Sequence, residues 1–172
     1  MAKAKLRGGA LLAHSLKEKG VDHVFTLAGG FCNPALEGFM ECQMPVINTP
    51  HEQIAGHLAD GHTRLSRKPT VCLVGPEGFA NAIPAMMEAW GERSPIIFIT
   101  GSSTLKRKGS GGFKEIDDVS MADPITKYSF SVIRQLDIFF FRINLRVAEI
   151  VFISRLSSSI FILLDYSSFF FF

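Results

Sequence analysis

The chain has 172 residues, 47% hydrophobic and 20% charged, with a formal net charge of +2. That length fits about one domain, and the balance excludes disorder, a collagen-like repeat and a disulfide scaffold. So small a charge makes no electrostatic case for nucleic acid, and three cysteines at unrelated spacings (Cys32, Cys42, Cys72) indicate a reducing compartment such as the cytoplasm.

Leu11, Leu12 and Leu16 followed by Lys17-Glu18-Lys19 read as an amphipathic helix that Gly20 stops. Asp22–Leu27 is a short strand, Ala28-Gly29-Gly30 turns the chain, and Pro34–Cys42 is a second helix with proline near its start. Strands at Pro45–Asn48, Thr70–Val74 and Pro95–Thr100 then alternate with helices at Thr49–Leu65 and Gly78–Trp90. Short, continuously apolar strands separated by helices predict a parallel sheet covered on both faces. The fold class is α/β, doubly wound.

After residue 132 the composition changes. All fifteen glycines lie at or before Gly112 and all eight prolines at or before Pro124, while 133–172 hold nine of the sixteen phenylalanines. Asp137, Arg142, Arg146, Glu149, Arg155 and Asp165 interrupt every window of that tail long enough to span a bilayer, so no membrane partner is expected. Met1 to Arg7 is basic with no apolar run behind it, which argues against secretion and leaves only a transit segment open. The expected organisation is a domain over 1–132 and a phenylalanine-rich, degenerate segment over 133–172.

In doubly wound sheets ligands sit where loops leave the carboxyl ends of strands. Four such loops carry marked residues: Ala28–Cys32, Thr49–Glu52, Gly75–Asn81 and Gly101–Gly112. Thr49 followed three residues later by Glu52, with Pro50 between, has the form of a capping box, and the helix macrodipole favours Glu52 there. The rival role for Glu52 is a carboxylate facing a ligand, and both can hold at once. His51, His57 and His62 lack the spacing that puts two imidazoles on one helical face, so no metal is expected from them. Gly29-Gly30 is too short for a dinucleotide fingerprint. Gly78–Asn81 is either a tight turn with Asn81 capping free helix amides or a close approach of backbone to ligand. Lys106-Arg107-Lys108 and the glycines after it suit a solvated loop or a phosphate contact, and Met86, Met87 and Trp90 read as core.

In their order, GVDHVFTLAGGFCNPALEGF, HEQIAGHLADGHTRLSRKPTVCLV, GPEGFANAI, SPIIFITGSS and IDDVSMADPITKYSF resemble the pyrimidine-binding (PYR) domain that opens thiamine-diphosphate enzymes of the acetolactate synthase group. The resemblance runs from about Arg7 to Phe130. Gly78–Asn81 and Thr100–Lys127 look most like benzaldehyde lyase and 2-hydroxyacyl-CoA lyase. It implies that Glu52 hydrogen-bonds the cofactor's aminopyrimidine ring and promotes the imino tautomer that deprotonates the thiazolium carbon. It also implies that Gly29, Gly30, Gly78 and Asn81 line that ring. The implied chemistry is carbon–carbon bond formation or cleavage at 2-keto or 2-hydroxy substrates.

The Gly-Asp-Gly…Asn motif that holds magnesium and the diphosphate in such enzymes does not occur in these 172 residues. Magnesium and the diphosphate grip are therefore expected from a diphosphate-binding domain or subunit, in a homo- or hetero-oligomer, with this chain incomplete as an enzyme on its own. The alternatives are the PYR subunit of a two-chain decarboxylase, or a non-enzymatic fragment that pairs with full-length relatives. Three positions depart from the family pattern: Phe113-Lys114-Glu115 replaces Phe-Gln-Glu, Pro76-Glu77-Gly78 stands for Gly-Pro-Gly, and Phe31 stands where benzaldehyde lyase has histidine. Within the tail, Arg146–Ile150 and Ile160–Asp165 faintly match the family's last helix and strand.

Overall fold

The computed structural model describes residues 7–104, 109–133, 137 and 160–165. The described elements run α1 (Gly8–Glu18), β1 (Val24–Thr26), α2 (Asn33–Glu41), β2 (Val46–Asn48), α3 (Glu52–Ser66), β3 (Thr70–Val74), α4 (Pro76–Glu92), β4 (Ile96–Ser102), α5 (Asp118–Ala122), β5 (Tyr128–Val132) and β6 (Ile160–Asp165). Short 3-10 turns at Gly30–Cys32 and Asp123–Ile125 precede α2 and β5. The six strands form one sheet in the order β2-β1-β3-β4-β6-β5, and every neighbouring pair is parallel. From β1 the chain winds outward to β2 on one side and to β3 and β4 on the other, so the topological switch lies between β1 and β3.

Both faces of the sheet are covered, which is why its strands read as unbroken apolar runs. Val71, Leu73, Ile97 and Ile99 point to one side and pack with Leu12 and Leu16 of α1 and Phe39 of α2. The alternate residues Cys72, Val74, Ile96 and Phe98 pack with Ala55 and Ala59 of α3 and Phe79, Met86 and Ala89 of α4. Helices approach closely where glycine permits. A methyl group on Gly38 of α2 would stand 2.1 Å from the Gly9 carbonyl oxygen of α1, and one on Gly56 of α3 would stand 2.5 Å from Ala85 Cβ of α4.

Gly20 ends α1 as expected. It adopts φ +85°, its N–H donates to Lys17 O, and the Val21 N–H reaches back to Leu16 O, the paired bonds of a Schellman cap. The start of α3 differs from the expectation. The helix begins at Glu52 with His51 as N-cap, whose Nδ1 accepts from the Gln53 N–H. No capping box forms, because His51 and not Thr49 takes the N-cap position, and the Thr49 hydroxyl is placed to donate to Thr26 O (3.1 Å) or His51 O (2.9 Å). α4 starts earlier than expected, at Pro76, where a proline in the first turn forgoes no helical bond. Met86 is core as expected, but Met87 and Trp90 lie on the exposed face of α4.

β5 was not read from the sequence at all: Tyr128–Val132 alternates serine with larger residues and is only partly buried. β6 lies between β4 and β5, so the sheet draws on residues beyond 132. The expected helix at Arg146–Ile150, most of the phenylalanine-rich segment and Lys106-Arg107-Lys108 fall outside the described residues.

Candidate functional site

Three parallel strands deliver their following loops to the switch point. β1 leads into Leu27–Gly30, β2 into Thr49–His51 and the first residue of α3, and β3 into Gly75 and the first turn of α4. Side-chain and backbone bonds hold the loops together at their roots. The Thr26 hydroxyl donates to Leu73 O (2.6 Å), the Thr49 N–H to Thr26 O (2.7 Å), and Asn48 Oδ1 accepts from the Ala28 N–H (3.0 Å).

Glu52 stands half-buried at the head of α3. Its Oε2 accepts a hydrogen bond from Asn81 Nδ2 at 3.0 Å. Asn81 therefore does not cap α4. It lies in the second turn of that helix and fixes a carboxylate on its neighbour. Gly78 permits the approach, since a methyl group there would stand 2.6 Å from both Glu52 Cγ and Glu52 Oε1. Glu52, Gly78 and Asn81 are thus brought into direct contact. Gly29 and Gly30 stand in the neighbouring loop, and a methyl group on either would project into open space, with no atom within 4 Å. Their backbone is not in the left-handed region that demands glycine.

Two buried thiols lie beneath. Burial pushes Cys32 up to about 12 against an opposing backbone hydrogen bond with Gly29, and the nearby Glu77 and Glu52 charges add smaller upward pushes. Cys72 is likewise raised, chiefly by burial. Both are neutral thiols and neither can serve as a nucleophile near neutral pH.

Sequence reasoning treated Glu77 and Lys114 as separate departures and missed that they form a pair. Lys114 Nζ bonds Glu77 Oε1, joining the loop before α5 to the first turn of α4. Partial burial pushes the Glu77 carboxyl up, but the Lys114 ammonium and the residue's own backbone N–H outweigh it and hold the group below its usual range. Glu115 gathers the same loop by accepting from the Gly109 and Gly112 N–H groups, and those two amides hold its carboxyl low as well. Opposite charges at two of the departures were the available signal. A second cluster had none, because Asp22, His23 and His62 meet only in the folded chain. Of the three histidines on or beside α3, His51 caps the helix, His57 is exposed and His62 joins that cluster.

A parallel α/β domain with a fixed carboxylate and open glycine loops at its topological switch point is of the doubly wound class, in which ligands bind at that point. Residues 6–121 match the family described as thiamine pyrophosphate enzyme, N-terminal TPP binding domain, and the chain belongs to that family. It is 34% identical over 125 residues to a probable acetolactate synthase of Mycobacterium bovis, covering 72% of this chain and 23% of that protein. Similarity to 2-hydroxyacyl-CoA lyase 2 of Caenorhabditis elegans is 35% over 138 residues, covering 79% and 21% of the respective chains. The human protein of the same name is 34% identical over 139 residues, covering 79% and 22%. The chain thus spans less than a quarter of the length of these relatives. Among the described residues no helix is long and apolar enough to cross a membrane.

Proposed function

We propose that this chain supplies the aminopyrimidine half of a thiamine diphosphate site, with Glu52 as the group that exchanges a proton with the ring. The observation that carries the reading is the Asn81–Glu52 hydrogen bond made against Gly78 at the switch point. It leaves a carboxylate fixed in direction, with Oε1 available for a ring nitrogen. The open space before Gly29 and Gly30 suits a flat heterocycle, and a side chain at either position would intrude on it. The bound cofactor supplies carbanion stabilisation at a carbonyl carbon, the step that protein side chains perform poorly. Glu52 contributes by holding or accepting a proton at one carboxylate oxygen, while Asn81 and Gly78 keep that oxygen in place.

The reaction proposed is carbon–carbon bond formation or cleavage at a 2-keto or 2-hydroxy substrate, in an assembly where another domain or subunit grips the diphosphate through magnesium. The chain is proposed to be inactive by itself. Ile54 and Leu58 on α3 and Met87 and Trp90 on α4 are exposed apolar residues on the helices that carry Glu52 and Asn81, and they suit a docked partner. The same face supports the second reading, a separate subunit that completes a two-chain enzyme. Three buried free thiols suit a reducing compartment such as the cytoplasm.

Calorimetry tests the proposal. Thiamine diphosphate with magnesium is titrated into this chain mixed with a diphosphate-binding partner chain, with each chain alone as control. Heat is expected only from the mixture, and Glu52→Gln should reduce it sharply. No heat from the mixture, or heat unchanged by Glu52→Gln, would overturn the assignment.

A further inference from the structure

The edge of the sheet opposite Glu52 carries a second concentration of chemistry. Asp22 and His23 immediately precede β1, and His62 comes from the eleventh position of α3, about 15 Å along the helix from Glu52 at a rise of 1.5 Å per residue. Asp22 Oδ1 stands 3.0 Å from His23 Nδ1 and 3.0 Å from His62 Nε2. One donor atom from each residue lies within 4.8 Å of the other two. The imidazole centroids are 4.5 Å apart with planes tilted by 52°, and the Phe25 ring backs both. The three side chains are 24–33% exposed, open enough for an ion to enter.

We propose that Asp22, His23 and His62 bind one divalent transition-metal ion, with Zn2+ the best match to one carboxylate and two imidazoles. Bonds of 2.0–2.2 Å in a tetrahedron place donors roughly 3.3–3.5 Å apart. The cluster brackets that spacing, so shifts of about 1 Å admit the ion between Oδ1 and the two ring nitrogens, with water at the fourth position. Two N–H···O hydrogen bonds are exchanged for three metal–ligand bonds. Each neutral imidazole moves its proton to the other ring nitrogen, so no net proton is released. Lys68 Nζ, 2.9 Å from Asp22 Oδ2, stays on the oxygen that the ion does not use. There it orients the carboxylate as an outer partner and repels the ion as a like charge. This dual position separates a metal site from a plain ion-pair network, because removing Lys68 affects the two in opposite directions.

The test is calorimetric titration of Zn2+ alone into the full chain without cofactor, repeated with Co2+ followed by visible absorption. One equivalent is expected to bind, with the intense bands of tetrahedral Co2+. Affinity should fall more than about tenfold in His62→Ala and Asp22→Asn. It should rise about thirtyfold in Lys68→Gln, the Coulomb energy of a doubly charged ion and one like charge near 4 Å in water. Lys68 is exposed, so that variant keeps the test valid even where His62→Ala unfolds. Absence of saturable binding would overturn the proposal. So would binding unchanged by His62→Ala and Lys68→Gln, which would place the ion on the exposed His14, His51 or His57. Neither failure bears on thiamine diphosphate, since the two sites share no residue and the metal test uses no cofactor.

Discussion

At the scale of single residues, glycine has three different jobs at the switch-point edge of the sheet. A methyl group on Gly101 would stand 2.4 Å from the Phe31 carbonyl oxygen, a backbone atom that cannot step aside. Gly101→Ala is expected to cost about 3 kcal/mol. At Gly78 the obstacle is the Glu52 side chain, which can swing away, so Gly78→Ala should fold with stability within about 1 kcal/mol while losing the Asn81–Glu52 bond. Gly29 has extended backbone and nothing to strike, so Gly29→Ala should leave stability unchanged or raise it by up to ~1 kcal/mol. Denaturant unfolding of the three variants checks the order. The calorimetric titration then checks that Gly78→Ala and Gly29→Ala both lose cofactor binding despite sound folds. Loss of stability in Gly29→Ala would refute the open cradle. Glu52 could be picked out in the sequence because it follows a strand inside a specific block of residues. The use of Asn81 as its clamp could not, because helix α4 had to begin at Pro76 before Asn81 turned toward α3.

At the scale of elements, the sequence identified helices and strands well and their ends less well. β3 is found at Thr70–Val74 as read, β2 starts one residue later than expected and ends as read, and β1 and β4 differ from their expected spans by one or two residues at each end. Apolar content identifies a doubly buried strand, since both faces demand the same residues. β5 escaped because one edge of the sheet needs less burial and tolerates Ser129 and Ser131. Helix starts moved because local hydrogen bonding has competing solutions, and at α3 the His51 ring took the N-cap. Helix ends show a residue-level compromise. α3 and α4 both terminate on an arginine in the left-handed region, Arg67 at φ 58° and Arg93 at φ 59°, where α1 uses Gly20. A non-glycine residue there costs roughly 1–2 kcal/mol, part of which glycine gives back in chain entropy. Arg67→Gly is therefore expected to stabilise the chain by about 1 kcal/mol, a rise of about 2–4 °C in Tm for a chain of this size. A thermal melt that moves downward would mean that the Arg67 side chain contributes more than its backbone strain costs.

Across the whole molecule, among the described residues, β1 to β4 carry no ionisable side chain except the neutral Cys72 thiol, and the charged groups lie on the helices and at the ends of the strands. Acid should therefore act on the edges before the core. At the switch-point edge two carboxylates organise the loop before α5: Glu77 through Lys114, and Glu115 through the Gly109 and Gly112 amides. Both are held below the usual glutamate value in the folded chain. A carboxylate whose folded pKa is depressed contributes stability that is fully present above its unfolded pKa, about 4.3, and lost as pH falls through the folded value. Glu77 is exposed and Glu115 partly so, so solvent screens these contacts and the effect is a local opening rather than global unfolding. Hydrogen exchange, corrected for the intrinsic pH dependence of the amides, should show residues 109–117 losing protection below about pH 4.3. Protection of β3 and β4 should persist there. Glu77→Gln should open the same loop near neutral pH without moving the strands. If the loop and the strands lose protection together, the edge is not a separate unit, and the Glu77–Lys114 pair is part of what holds the core.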